Sequence, residues 1–275
     1  MISVEGIRMP MERILSEVIS LAEQAGNMML DDSGITVENK ATKENYVTSM
    51  DVKIEGFLRE KLTSLIPGSF FLGEEGDPVS EGEKEYMWIV DPIDGTANFA
   101  RGIRMSVVSI GLAHFGELVL GVVRHPHLGE TYSAVKGNGA FLNGEPIHVS
   151  DRTKEHCMVS LAWSTYNKKL APMCFEVSQR LYGVCEDLRR IGTAAYELCQ
   201  VAKGSEDMLF EIRLAPWDYA GAAVILREAG GVISSVDGDV SLTHSCTVMA
   251  ANTAGNHEFL SSVVKDVLEN FRVTE

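Results

Sequence analysis

Five short apolar runs dominate the first half of the chain: Phe70–Leu72, Met87–Val90, Ser106–Ala113, Glu117–Val123 and Glu130–Val135. Gly, Pro and Asp turns separate them, so they read as successive strands, several of them antiparallel. Residues 137–150, with Gly137, Gly139 and Asn143-Gly144, read as a turn-rich hairpin. After Ser150 the pattern changes to strand–helix alternation. Strands are expected at 157–163, 207–212, 231–235 and 247–251, and helices at 170–182, 193–203, 217–229 and 255–271. Gly230-Gly231 supplies a helix stop. Two earlier helices are expected, an amphipathic one over 10–30 and one from about Asp51 to Leu65, ending before Pro67-Gly68. The change of pattern divides the chain into an N-terminal lobe, 1–150, and a C-terminal α/β lobe, 151–275, read as two parts of one unit.

Composition removes several classes of function. With 275 residues, 45% hydrophobic and 23% charged, the chain has the make-up of a globular protein with a substantial core. Its net charge of −15 repels phosphate backbones and argues against nucleic acid as a general partner. The apolar stretch from Ile14 to Leu30 is interrupted by Glu17, Glu23 and Gln24. It is neither a membrane span nor a signal peptide, so a cytoplasmic protein with no membrane partner is expected. The five cysteines are odd in number, widely spaced and never in a C-x-x-C pair, which reads as reduced, mostly buried thiols.

Part of the excess acid sits where solvated surface does not account for it. In Trp88-Ile89-Val90-Asp91-Pro92-Ile93-Asp94-Gly95-Thr96, an apolar strand ends in Asp91, and Pro92 is expected to end its ladder pairing. Asp94-Gly95 then turns the chain toward a helix starting at Thr96. Two carboxylates so placed repel unless a cation lies between them, and the Gly95 and Thr96 amides suit a phosphate oxygen. Asp-Pro and Asp-Gly are also common turn dipeptides, so this run alone leaves both readings open. Phe71-Leu72-Gly73-Glu74-Glu75 repeats the design, Trp217-Asp218 opens a helix of small residues, and Asp51 follows Thr48 as an N-terminal helix acid would. Oxygen-only donors of this kind suit Mg2+ or Mn2+ rather than zinc. The nearest histidine pair, His125-Pro126-His127, reads as a surface loop.

These segments resemble the inositol monophosphatase-like family of magnesium-dependent, lithium-sensitive phosphatases. The motifs that carry the resemblance are Asp91 to Thr96 with Asn98-Phe99, Trp217-Asp218 with Glu228-Ala229-Gly230-Gly231, and Gly73-Glu74-Glu75. Val47-Thr48 with Asp51, Lys136 to Phe141, and Gly192-Thr193-Ala194-Ala195 also fit, in order over about residues 10–260. The resemblance implies an α/β fold, a layered α/β/α/β/α sandwich of the inositol monophosphatase and fructose-1,6-bisphosphatase type, assembled as a homodimer. It implies two or three Mg2+ ions, with Mn2+ an alternative. Glu74, Asp91 and the Ile93 carbonyl resemble the ligands of one ion, and Asp91, Asp94 and Asp218 those of a second. Asp51, Glu74 and Thr96 would act in catalysis. Gly95 and Thr96 amides would hold the phosphate, with Lys40 adding positive charge nearby.

The same resemblance puts Asp94, Gly192, Thr193, Ala194, Glu211 and Asp218 against the substrate, with Glu211 expected at a strand end. Hydrolysis of myo-inositol 1-phosphate or a similar polyol phosphate is the implied activity. Alternatives on the same fold are fructose 1,6-bisphosphate, histidinol phosphate and 3′-phosphoadenosine 5′-phosphate, and of another class, a non-catalytic accessory protein. Two departures from the family pattern stand out. Asn45 takes a slot where aspartate is common, and Ala100-Arg101-Gly102-Ile103-Arg104 replaces the usual histidine and Phe-Pro. Arg101 and Arg104 are either surface residues or partners of a second anionic group.

Overall fold

The computed structural model describes residues 2–4, 7–31, 35–39, 46–76, 84–165 and 167–272. The antiparallel pair β1 (Ile2–Val4) and β2 (Ile7–Met9) precedes α1 (Met11–Leu30). In α1, Ile14, Val18, Ala22, Ala25 and Met29 recur at helical spacing and are all buried. A second pair, β3 (Val37–Asn39) and β4 (Tyr46–Thr48), leads into α2 (Ser49–Leu65), which Thr48 caps. Then come β5 (Phe70–Gly73), β6 (Tyr86–Asp94), the five-residue α3 (Thr96–Ala100), β7 (Val107–His114), β8 (Glu117–His125) and β9 (Glu130–Val135). The hairpin of β10 (Ala140–Leu142) and β11 (Glu145–Ile147) closes this half. The second half runs β12 (Met158–Leu161), α4 (Ala171–Tyr182), β13 (Asp187–Arg189), α5 (Ala194–Ala202) and β14 (Met208–Leu214). It ends with α6 (Pro216–Glu228), β15 (Val232–Ser234), β16 (Cys246–Ala251) and α7 (Ala254–Arg272).

Two sheets form, a seven-stranded one in the order β11-β10-β9-β8-β7-β6-β5 and a five-stranded one in the order β13-β12-β14-β16-β15. Strand alternation sorts their side chains into three cores. Trp88 and Val90 of β6 pack with Ile14, Ile54 and Leu58 under α1 and α2. Ile89, one residue out of phase, faces α5 and α6, and so does Leu209 from the second sheet. Phe210 and Met249 face the opposite way, with Leu181 of α4 and Val264 of α7. The result is the α/β/α/β/α layering, with α5 and α6 in the middle. These two helices come from the second half of the sequence yet bury much of their surface against the sheet of the first.

Three local features depart from the sequence expectations. Pro92 does not end β6: the ladder pairs Asp91 with Ser109 and resumes at Asp94 with Val107, so β6 carries one extra residue there. A bulge is where a strand tolerates a residue without an N–H. His125 is not in a surface loop but fully buried at the end of β8, edge-on to Tyr196, and burial lowers its pKa to about 4. The strand β13 and the short pairs β1–β2 and β3–β4 were not expected at all. Among the described residues no helix is long and apolar enough to cross a membrane. All five cysteines are free, four of them buried.

The small residues of α6 let backbone meet backbone. A Cβ at Gly121 in β8 would lie 2.0 Å from the Gly221 carbonyl oxygen, and one at Gly221 would lie 2.8 Å from that of Ile110. Neither neighbour is a side chain that could turn aside. Gly121→Ala is therefore expected to cost about 2–3 kcal/mol, from overpacking against an unyielding main chain. A thermal melt should read this as a fall of roughly 4–10 °C. An unchanged melting temperature would show that the helix can lift off the sheet without loss.

Candidate active site

The bulge in β6 brings the two aspartates together. On a regular strand, residues three apart point to opposite faces, and one inserted residue restores them to the same side. Asp91 and Asp94 accordingly line one cavity of about 740 Å³, with Glu74 from the end of β5 and Asp218 from the first turn of α6. Asp91 and Asp94 are buried, at 2% and 7% exposure, while Glu74 and Asp218 are half-buried. Each aspartate is held by a main-chain donor. Ile93 N–H donates to Asp91 Oδ1 (3.0 Å), Ala195 N–H to Asp94 Oδ2 (2.7 Å), and Ala215 N–H to Asp218 Oδ2 (2.7 Å).

Burial pushes the Asp91 carboxyl well above the usual range, and the charges of Glu74, Asp94, Asp218 and Asp51 push it further. Asp94 is raised in the same way, by burial and then by Asp218, against the opposing Ala195 hydrogen bond. Among the described residues neither Asp91 nor Asp94 has a Lys or Arg partner. No three His, Cys, Asp or Glu side chains there are drawn into a ready-made cage, and repulsion between anions works against such closeness. The donor set tests the implied metal and fits it. Four carboxylates and the Ile93 carbonyl border one cavity, all are hard oxygen donors, and the like charges raising Asp91 are what a divalent cation would offset.

Asp51 occupies the third position of α2, where it has two roles. Its Oδ2 accepts from Thr48 N–H (2.8 Å) and from the Thr48 hydroxyl, completing a capping box. Its Oδ1 faces Thr96 Oγ1 at 3.1 Å, and that hydroxyl also lies 2.9 Å from the Ile93 carbonyl oxygen. The single Thr96 proton can go to either acceptor. Burial raises the Asp51 pKa, against the hydrogen bonds from Thr48 and Thr96. Asp51 is therefore a helix cap that also reaches Thr96, a residue lining the cavity.

Gly95 turns the chain between β6 and α3 at φ +86, where a Cβ would lie 2.7 Å from Thr193 Oγ1. The tight fit stitches the two halves of the chain together. Asn98 Nδ2 donates to the Met105 and Ile191 carbonyls (2.8 and 3.0 Å), and Thr193 Oγ1 donates to Met105 O (2.7 Å). Thr193 is thus committed to the scaffold, and Gly192 and Ala194 are the members of that loop that line the cavity. Glu211 lines it too, but from within β14 rather than at a strand end. Burial raises its carboxyl well above the ordinary value, and Arg190 pulls the other way. Lys40 and Asn45 lie outside the described residues. Arg101 borders the cavity, whereas Arg104 is an exposed residue away from it.

Several residues of the site were not singled out from sequence. Glu55, four residues after Asp51, accepts from Glu75 N–H (2.8 Å) and so shapes the turn that carries Glu74. Gly73 makes room for it, since a Cβ there would lie 2.3 Å from Glu55 Oε2. Glu197 of α5, 1% exposed, accepts from Ile191 N–H (2.8 Å) and Thr193 N–H (3.2 Å) and fixes the Gly192 loop from behind. The Ser160 hydroxyl bridges Glu197 to Glu206, whose carboxyl burial pushes up to about 7. Arg190 and Arg213 also border the cavity. An acid two turns into a helix, or an isolated arginine in a loop, carries no sequence signal that separates it from solvated surface.

The inositol monophosphatase family matches residues 10–269. Over 254 residues the chain is 35% identical to human inositol monophosphatase 1, spanning 88% of this chain and 91% of that protein. Over 269 residues it is 31% identical to the Nus factor SuhB of Pasteurella multocida, spanning 95% and 100%. The solved IMPase of Thermotoga maritima superposes with a TM-score of 0.83 at 28% identity, covering 94% of this chain and 99% of that one. With the layered fold, the bulged acidic strand and matches of this length, the chain belongs to the inositol monophosphatase family.

Proposed function

We propose that the chain hydrolyses the phosphate monoester of a small polyol, with myo-inositol 1-phosphate as first choice, in the presence of Mg2+. The observation that carries this reading is the single cavity shared by four carboxylates, the Gly95–Thr96 turn and Glu211. Glu74, Asp91 and the Ile93 carbonyl would hold one ion, and Asp91, Asp94 and Asp218 a second. When bound, such ions supply neutralisation of the phosphate dianion and acidification of water. The Gly95 and Thr96 amides hold phosphate oxygens, and Glu211 with Gly192 and Ala194 orients the alcohol. Thr96, donating to Asp51, keeps lone pairs free to accept from the attacking water and passes its proton toward Asp51. The water oxygen bonds to phosphorus, the bond from phosphorus to the alcohol oxygen breaks, and the departing oxygen takes up a proton. Residues 1–150 and 151–275 act as one catalytic unit in this reading, and the assembly is a homodimer.

A second reading, an accessory protein that binds a macromolecule, is favoured by the match to relatives named Nus factor SuhB. The net charge of −15 and the intact set of acids favour hydrolysis.

Asp91→Asn is expected to fold and to release no phosphate from myo-inositol 1-phosphate at saturating Mg2+, a loss of at least about a thousandfold. Substantial turnover in this variant would sink the assignment. A fully active-site-intact protein that released no phosphate while holding a stable macromolecular partner would favour the second reading.

The raised carboxyls make a separate expectation for the protein stripped with EDTA. Folded Asp91 holds its proton more tightly than the unfolded chain does, so unfolding releases protons and stability falls as pH rises. The loss begins above the unfolded value, roughly 4, and continues toward the raised folded value. Melting temperatures between pH 5 and 8 should therefore decline more steeply for wild type than for Asp91→Asn, and Mg2+ should restore the wild type. Parallel curves for the two proteins would show that Asp91 is not strained by its neighbours.

A further inference from the structure

Three arginines border the mouth of the same cavity: Arg101 after α3, Arg190 before the Gly192 loop, and Arg213 on β14. All three are exposed. Of the other described arginines, Arg59, Arg152, Arg180, Arg189 and Arg227 are each paired with a carboxylate, whereas Arg13, Arg104 and Arg124 are not. Among the described residues none of the three rim arginines is so paired, although Asp and Glu outnumber Lys and Arg by 39 to 24 in this chain. What sets these three apart is that they gather on one cavity, a local concentration of positive charge in an acidic protein.

Two of the three are held in place by contacts that leave their charge unspent. The Arg101 guanidinium lies over the Tyr46 ring (5.8 Å to its centre) and donates to the Tyr46 hydroxyl (3.1 Å). Arg190 lies over the Trp163 ring (5.4 Å) and donates to Thr165 Oγ1 (3.2 Å). Stacking fixes the plane of a guanidinium while keeping N–H donors for a ligand. Arg213 stands two residues after Glu211 on β14, and Arg190 is close enough for its charge to pull the Glu211 pKa down. Arg190 and Arg213 therefore flank the residue that would orient the alcohol, with Arg101 at another point of the rim. The carboxylates of the floor are where the scissile phosphate would sit, so the rim meets the far end of the leaving alcohol.

We propose that Arg101, Arg190 and Arg213 form a subsite for a second anionic group carried by the leaving alcohol, so that bisphosphorylated polyols or sugars are preferred over monophosphates. This rests on the hydrolase reading above, and within that reading it moves a bisphosphate ahead of myo-inositol 1-phosphate as the preferred substrate. A phosphate is matched by guanidinium geometry better than by any neutral group, and each arginine would add charge-assisted hydrogen bonds to it. Arg104, which the sequence pattern paired with Arg101, takes no part.

The test compares two substrates that differ only in the second phosphate, fructose 1,6-bisphosphate and fructose 1-phosphate, with the full chain in Mg2+. Wild type should show kcat/KM at least about tenfold higher on the bisphosphate, the effect of one net charge-assisted contact. Arg101→Gln, Arg190→Gln and Arg213→Gln should each lose about tenfold more on the bisphosphate than on the monophosphate, with most of the difference in KM. Equal losses on both substrates would show that the rim only attracts phosphate in general, and would overturn the subsite. So would a wild-type preference for the monophosphate. If neither substrate nor myo-inositol 1-phosphate is turned over, the hydrolase reading fails, and calorimetry with the same pair then judges the rim alone. Tighter binding of the bisphosphate that the variants lose would keep the subsite, and equal binding would remove it.

Discussion

A single main-chain donor, the Ala195 N–H on Asp94 Oδ2, ties the acid cluster to the second half of the chain. Asp94 faces the charges of Asp218, Glu197 and Glu74, all of which work against its ionised form. Its place therefore depends on where α5 begins. That start is set in turn by Glu197, which gathers the Ile191 and Thr193 amides, and by Asn98 and Thr193, which clamp the loop to Met105. The bulge at Pro92 completes the chain of dependence by aiming Asp91 and Asp94 to one side. Each contact is ordinary alone, and together they hold anions where solvation would otherwise disperse them.

The acids are not equivalent, and their surroundings divide the work between them. Asp51 is compensated: Thr48 donates to it twice and Thr96 faces it, so burial is the one factor that raises it. Asp91 is opposed by burial and by Glu74, Asp94 and Asp218, and Asp94 by burial and by Asp218, Glu197 and Glu74. A compensated acid can hold a defined position and accept a proton. An opposed pair would gain most from a cation, at the expense of stability in the chain without one.

Much of this was legible in the sequence, for physical reasons that differ by element. The helices over 10–30 and 217–229 were readable because apolar periodicity and the Gly230 stop act locally. The acids of the site were readable because Asp91, Asp94, Glu74 and Asp218 interrupt apolar segments. The continuation of β6 past Pro92 was not, since Asp-Pro followed by Asp-Gly looks like a strand end and the bulge exists only relative to β7. His125 looked like a loop residue beside Pro126, but Tyr196 from α5 covers it. Glu55 and Arg190 take their meaning from partners at least twenty residues away, and Glu197 and Arg213 from the loop and cavity they face, about which the charge alone is silent.

The contact between Gly121 and Gly221 has a bearing on the acidic cavity as well as on the core. Gly221 lies one turn after Asp218 on α6, and the helix rests on the sheet that carries Asp91 and Asp94 through main-chain atoms. Side chains can rotate to suit a guest, but touching backbones cannot. The separation between the two groups of carboxylates is thus a gauge block rather than a spring, cut to length by the absence of a methyl group. The width open to any cation between those carboxylates would then be set by a pair of glycines that lie outside the cavity.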